Sequence, residues 1–135
     1  MVHIILFTLP HKVKTSIRQN KWPSTFIFSN EFRHFSALIN PGDEAIIIEP
    51  FFDCYAPMVA YAGGTSKYIP LKPEGKSKTA NDWTLDMDHL QSLVTDKTKM
   101  IFFNNPNNPL GKVFSMEECQ GAIQKTQKLL LIFFI

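Results

Sequence analysis

The stretch Met100–Ser115, MIFFNNPNNPLGKVFS, carries the most structural information in this chain. Met100–Phe103 is apolar without alternation and too short for a helix, which is how a strand covered on both faces reads. It runs into Asn104, Asn105, Pro106, Asn107, Asn108, Pro109 and Gly111. Prolines fix φ and stiffen such a loop, and a glycine lets it turn back sharply. Ser115 and Glu118 then form Ser-x-x-Glu, a capping box that opens a helix. Strand, stiff polar loop and helix make one βα unit, and ligands of α/β sheets bind beyond the carboxyl ends of such strands.

The same grammar recurs upstream. Asn40–Glu44 (NPGDE) is turn chemistry, Ala45–Glu49 (AIIIE) is a second short β-branched run, and Pro50 ends it. A helix is predicted over Asp53–Ala62, with Asp53 as N-cap, Pro57 in its first turn and Gly63-Gly64 as its stop. Thr65–Leu71 reads as a strand near a sheet edge because it contains Pro70. Lys72–Asn81 is a polar loop. Leu85–Val94 is a short amphipathic helix with Leu85, His89, Leu90 and Leu93 on one face and Asp86 and Asp88 at its N-terminal end. The helix after Ser115 turns Cys119, Ala122 and Ile123 inward, and Leu129–Ile135 (LLLIFFI) resembles a fourth buried strand. The alternation predicts an α/β fold with parallel strands near 45–49, 65–71, 99–103 and 129–134. A helical stripe of Phe28, Phe32, Phe35 and Ile39 runs through Ser24–Leu38.

Bulk properties bound the function. In 135 residues, 44% hydrophobic and 19% charged residues fit a globular domain with a modest core. Charge is uneven: Lys12, Lys14, Arg18 and Lys21 stand in the first 30 residues without an acid. Residues 1–23 show no period and are expected to be a poorly ordered basic leader. Their bias faintly resembles an organellar transit peptide, so the expected location is cytoplasmic or mitochondrial. No basic–aromatic interleaving argues for nucleic acid, and no apolar run approaches the roughly 18 residues that span a bilayer. Cys54 and Cys119 form neither a disulfide framework nor CxxC, and His3, His11, His34 and His89 lack ligand spacing, so no metal site is expected. The absence of GxxxxGK[ST] and GxGxxG disfavours a nucleotide-binding module.

Two candidate site residues follow. Asn108 offers a carboxamide at the tip of a stiff loop, suited to a small polar ligand. Phe51 or Phe52, just past Ala45–Glu49, offers a rim aromatic able to stack on a flat heterocycle. Both loops also have readings without a ligand: a Pro/Asn turn, and two phenylalanines in the core.

Resemblance to a known family sharpens the choice. NPGDEAIIIEPFFDCYAPMVAYAGG and DWTLDMDHLQSLVTDKTKMIFFNNPNNPLGKVFSMEE are similar to blocks of the fold-type I aminotransferases, and to the kynurenine aminotransferases (cysteine-S-conjugate β-lyases) in particular. The likeness covers about Ala37–Gln120, more weakly back to Ser24. It implies a pyridoxal 5'-phosphate enzyme that moves an amino group from an amino acid such as kynurenine to a 2-oxo acid, and that forms homodimers. Asn108 matches the asparagine that hydrogen-bonds the cofactor's phenolic oxygen, and Phe52 matches the aromatic stacked on its pyridine ring. Both should lie at one sheet edge and point into one open pocket.

The departures are specific. The family's small-residue turn for the cofactor phosphate falls on Phe26–Glu31, where bulky residues stand. The Schiff-base lysine, the aspartate paired with the pyridine nitrogen and the carboxylate-binding arginine lie beyond Ile135 in the family's pattern. The chain is therefore expected to be an incomplete three-layer α/β/α large domain: leader 1–23, partial cofactor-binding domain 24–128, apolar tail 129–135. It is expected to be catalytically incomplete, with no catalytic residue of its own. Lys112, the tempting substitute lysine, is expected to face solvent. The competing expectation is a non-catalytic subunit that docks to a full-length aminotransferase.

Overall fold

The computed structural model describes residues 3–8, 13–18, 38–76, 79–126 and 130–134. Its main sheet contains β1 (His3–Thr8), β2 (Val13–Arg18), β3 (Glu44–Glu49), β4 (Thr65–Pro70), β7 (Thr98–Asn104) and β8 (Leu130–Phe134). The order across it is β2-β1-β8-β7-β3-β4. A two-stranded ribbon, β5 (Lys72–Pro73) with β6 (Trp83–Thr84), stands apart from it. The helices are α1 (Tyr55–Tyr61), α2 (Met87–Leu93) and α3 (Met116–Lys125).

The four predicted strands are parallel: β3 pairs with β4 and β7, and β7 pairs with β8. Alternate residues of β3 and β7 serve opposite faces. Ile46, Ile48, Ile101 and Phe103 join Ile69, Leu71, Leu85, Leu90, Phe114 and Ala122 under α2 and α3. Ala45, Ile47, Met100 and Phe102 join Tyr55, Met58 and Val59 under α1. Both faces of the strands are covered, which is why AIIIE and MIFF are continuous rather than alternating. The result is three α/β/α layers.

Local rules set the ends. Gly63 has φ +81°, and the Gly63 and Gly64 amides donate to the Ala60 and Val59 carbonyls, closing α1 in a Schellman motif. A β-carbon on Gly64 would come within 2.6 Å of Ile39 Cγ2, so this turn also seats the helix on the sheet. Asp86 caps α2 by accepting from the His89 amide at 2.9 Å. The predicted capping box on α3 is present: Glu118 N–H donates to Ser115 Oγ at 3.2 Å, and Ser115 N–H donates to Glu118 Oε2 at 2.8 Å.

Two expectations need correction. The N-cap of α1 is Cys54, not Asp53. The Tyr55 amide donates to the Phe52 carbonyl, so Asp53 sits inside a turn that precedes the helix. The leader is not unstructured throughout, because β1 pairs antiparallel with both β2 and β8. HIILFT has β-forming residues, and the β8 edge offers a backbone ladder to pair with. The helical stripe over 24–38 and the turn at Phe26–Glu31 lie outside the described residues, apart from Leu38. Among the described residues, no helix is long and apolar enough to cross a membrane.

Candidate functional site

β3 and β7 are parallel neighbours, so the loops that leave their carboxyl ends share one rim of the sheet. The first loop carries Phe51 and Phe52 and the second carries Asn104–Ser115. The Asn107 side chain joins them, its Nδ2 donating to the Pro50 carbonyl at 3.1 Å. The Leu71 amide donates to the Glu49 carbonyl at 2.8 Å, which brings the end of β4 to the same rim.

Aromatic packing holds the first loop. Phe51 stacks on Tyr68 with ring centroids 5.6 Å apart. Phe52 is half-buried and meets Tyr55 edge-on at 5.9 Å and 74°. Tyr55 in turn stacks on Phe102 of β7 at 4.8 Å. Phe52 therefore belongs to a row of rings anchored in the core.

Carboxamides hold the second loop. Asn105 Oδ1 accepts from the Phe114 amide at 3.0 Å. Asn107 is 4% exposed, and its Oδ1 accepts from the Leu110 amide at 3.1 Å. Its backbone amide donates to the Lys112 carbonyl at 2.7 Å, and its carbonyl accepts from the Gly111 amide at 2.6 Å. Gly111, at φ +78°, makes the return. The bonds Glu49–Pro50, Asn105–Pro106 and Asn108–Pro109 are cis. Asn108 is exposed at the tip.

Lys112 is the third correction. Its side chain is 2% exposed rather than solvent-facing, with Nζ 2.9 Å from Glu118 Oε1 and 5.0 Å from the centre of the Phe114 ring. It also donates to the Asn81 carbonyl at 3.5 Å, while Asn81 Oδ1 accepts from the Val113 amide at 3.0 Å. The sequence signal for a strand, loop and helix was clear, but nothing in GKVF marks a buried ammonium. Asn105, Asn107 and Asn81 were also not singled out, although the doubled asparagines around Pro106 hint that two of the four are structural.

The surroundings limit the chemistry. Burial and the nearby Glu118 carboxylate push the Cys119 thiol up, so it is not an activated nucleophile. A broad, open cavity of about 660 Å³ lies between the β5–β6 segment and Leu110, and neither Phe52 nor Asn108 lines it. A rim that offers an aromatic side chain and an exposed carboxamide fits a flat, oxygen-bearing heterocycle. Lys112, held by Glu118, is not a free amine at that rim.

Comparisons with known proteins agree with this geometry. Residues 29–134 match the family described as aminotransferase class I and II. Kynurenine–oxoglutarate transaminase 3 of Homo sapiens is 49% identical over 96 residues, covering 69% of this chain and 21% of that protein. Kynurenine–oxoglutarate transaminase 1 of Rattus norvegicus is 50% identical over 93 residues, covering 66% and 22%. Among solved structures, Bna3p of Saccharomyces cerevisiae superposes with a TM-score of 0.66 at 35% identity, covering 70% of this chain and 23% of that one. Aspartate aminotransferase of Thermus thermophilus with maleate gives 0.64 at 30% identity, covering 73% and 24%. The chain thus spans about a fifth of the length of these curated relatives. With the parallel sheet, its two tied rim loops and the matched span taken together, the chain belongs to the aminotransferase class I and II family.

Proposed function

We propose that this chain is part of the cofactor-binding domain of a pyridoxal-phosphate transaminase that moves an amino group from kynurenine or a similar amino acid to a 2-oxo acid. β-Elimination from cysteine S-conjugates is a second reaction open to the same site. The supporting observation is the direct Asn107–Pro50 bond between the loop of Phe52 and the loop of Asn108. In this proposal Phe52 covers one face of the cofactor ring and excludes water from it. The Asn108 carboxamide N–H would donate a hydrogen bond to the phenolic oxygen and so orient the ring in the site. Pyridoxal phosphate, when bound, supplies the electron sink that amino-group transfer needs. The complete protein is proposed to be a homodimer in the cytoplasm or mitochondrion.

The 135-residue polypeptide by itself is proposed not to turn over. Its described lysines include no counterpart of the cofactor-bonded one, and the ammonium of Lys112 is held by Glu118. The test is to incubate purified chain with pyridoxal phosphate, reduce with borohydride, map the modified lysines by mass spectrometry, and assay kynurenine with a 2-oxo acid. Scattered labelling without turnover is expected. One dominant labelled lysine accompanied by turnover would overturn the claim of catalytic incompleteness. Phe52→Ala and Asn108→Ala should each weaken binding of free pyridoxal phosphate; unchanged affinity in both removes them from the site.

A further inference from the structure

We infer that Lys112 and Glu118 are positioning residues for the Asn107–Asn108 tip, and that their ion pair sets where the tip stands relative to Phe52. The inference rests on the proposal above that this rim is a cofactor site, and it names residues that the family resemblance did not.

A lysine is almost never fully buried unless it is paired. Lys112 is buried, and both ends of the residue are committed. Its ammonium meets Glu118 at 2.9 Å and lies over Phe114. Its carbonyl accepts from the Asn107 amide at 2.7 Å. Position 112 therefore couples an ion pair to loop closure. Asn107 is committed as well, its two side-chain ends held by Pro50 and Leu110. Glu118 is anchored in turn, since its other oxygen accepts from the Ser115 amide in the capping box of α3. A continuous path results: first turn of α3, Glu118, Lys112, Asn107, Pro50 and the loop of Phe52. Asn108 sits one peptide bond from the middle of it.

Lys112 as mere filler is a distinct alternative with a distinct consequence. Well-packed apolar residues replace a buried ion pair at little or no loss of stability. If Lys112 only fills space, methionine of similar length leaves the loop as it was. If the pair positions the loop, removing the charge frees the 112 carbonyl and the Asn107 bonds that depend on it.

The experiment uses the 135-residue chain as Lys112→Met, Glu118→Gln and the double variant. Amide hydrogen exchange and the side-chain amide resonances of Asn107 are read by NMR. Glu118→Gln keeps an acceptor for the Ser115 amide and removes only the charge, so it remains informative if Lys112→Met folds poorly. Both single variants should raise exchange at the Leu110 and Gly111 amides roughly tenfold beyond any change at strand amides of β3 and β7. They should also move the Asn107 side-chain resonances toward those of an exposed carboxamide. The double variant should be no worse than Lys112→Met alone, because both substitutions remove the same ion pair. Loop and strand amides changing alike, or additive effects in the double variant, overturn the inference. Titration with pyridoxal phosphate separates the two levels: if the unsubstituted chain does not bind it, the cofactor proposal fails while the exchange data still decide the positioning role. If it binds, both single variants should weaken the affinity severalfold, and unchanged affinity counts against positioning.

Discussion

The two loops that leave the shared rim are held by opposite means. Pro50–Cys54 is fixed by rings: Phe51 on Tyr68, Phe52 against Tyr55, and Tyr55 on Phe102. Asn104–Ser115 is fixed by directed bonds from Asn105 and Asn107 and by the Lys112–Glu118 pair. Packing tolerates small shifts because dispersion is non-directional, whereas a carboxamide bond specifies an angle as well as a distance. A flat ring face needs only the first kind of support. A tip that must present one carboxamide to one oxygen needs the second.

The comparison breaks most visibly at its two footings. Phe102 and Phe103 are successive residues of β7 on opposite faces, one under Tyr55 and the other 4.4 Å from the Phe114 ring. Phe102→Ala and Phe103→Ala should each cost about 3–5 kcal/mol in urea denaturation. Phe102→Ala should loosen the aromatic loop and Phe103→Ala the asparagine loop, as read by local hydrogen exchange. The same loop loosening in both variants would mean that the two supports are not separate.

Asn107→Ala is the next largest. It removes one donor and one acceptor at a buried position, so about 1–3 kcal/mol of stability should go, checked by the same denaturation. The loss should be accompanied by faster exchange at the Leu110 amide. Asn108→Ala, at the exposed tip, should leave stability within about 0.5 kcal/mol. A reversal of these two would transfer the structural role from Asn107 to Asn108.

Ser115→Ala tests the far anchor of the asparagine loop and should cost about 1 kcal/mol through loss of the cap. The smallest effect belongs to the opposite rim, where Glu44 meets Thr95 at 2.6 Å and Lys67 at 3.4 Å. The Thr95 hydroxyl, then the Lys67 charge, hold its carboxyl below the usual glutamate range. A lowered folded-state value means stabilisation that is complete above the unfolded-state value and lost as pH falls through the folded one. Stability against pH should therefore decline through the acid range, and Glu44→Gln should flatten that decline. The contribution should be under about 1 kcal/mol, since Lys67 is partly exposed.

Much of this is legible in the sequence. Continuous runs without alternation fixed the parallel strands, because strands covered on both faces have no polar side to show. Ser115-x-x-Glu118 fixed the start of α3, because a capping box is a local bond pattern. Asp53 failed as a cap because the competing turn from the Phe52 carbonyl is equally local and leaves no distinct residue signature. The strand β1 has no local signal for its place in the sheet, because its partner β8 lies more than 100 residues away along the chain, and β2 joins the sheet only through β1.

The sequence by itself determined the class of fold, the order of its elements and the two loops that can face a ligand. Backbone rules of three- and four-residue range suffice for these, and two specific blocks tie them to a family. Only the tertiary structure decided which asparagine is buried and which is exposed, and that Lys112 points inward to Glu118. The bond from Asn107 to the Pro50 carbonyl and the pairing of Lys112 with Glu118 both join different segments of the chain. Whether a lysine is solvated or paired depends on what the fold brings to its ammonium, and no spacing along the chain encodes that.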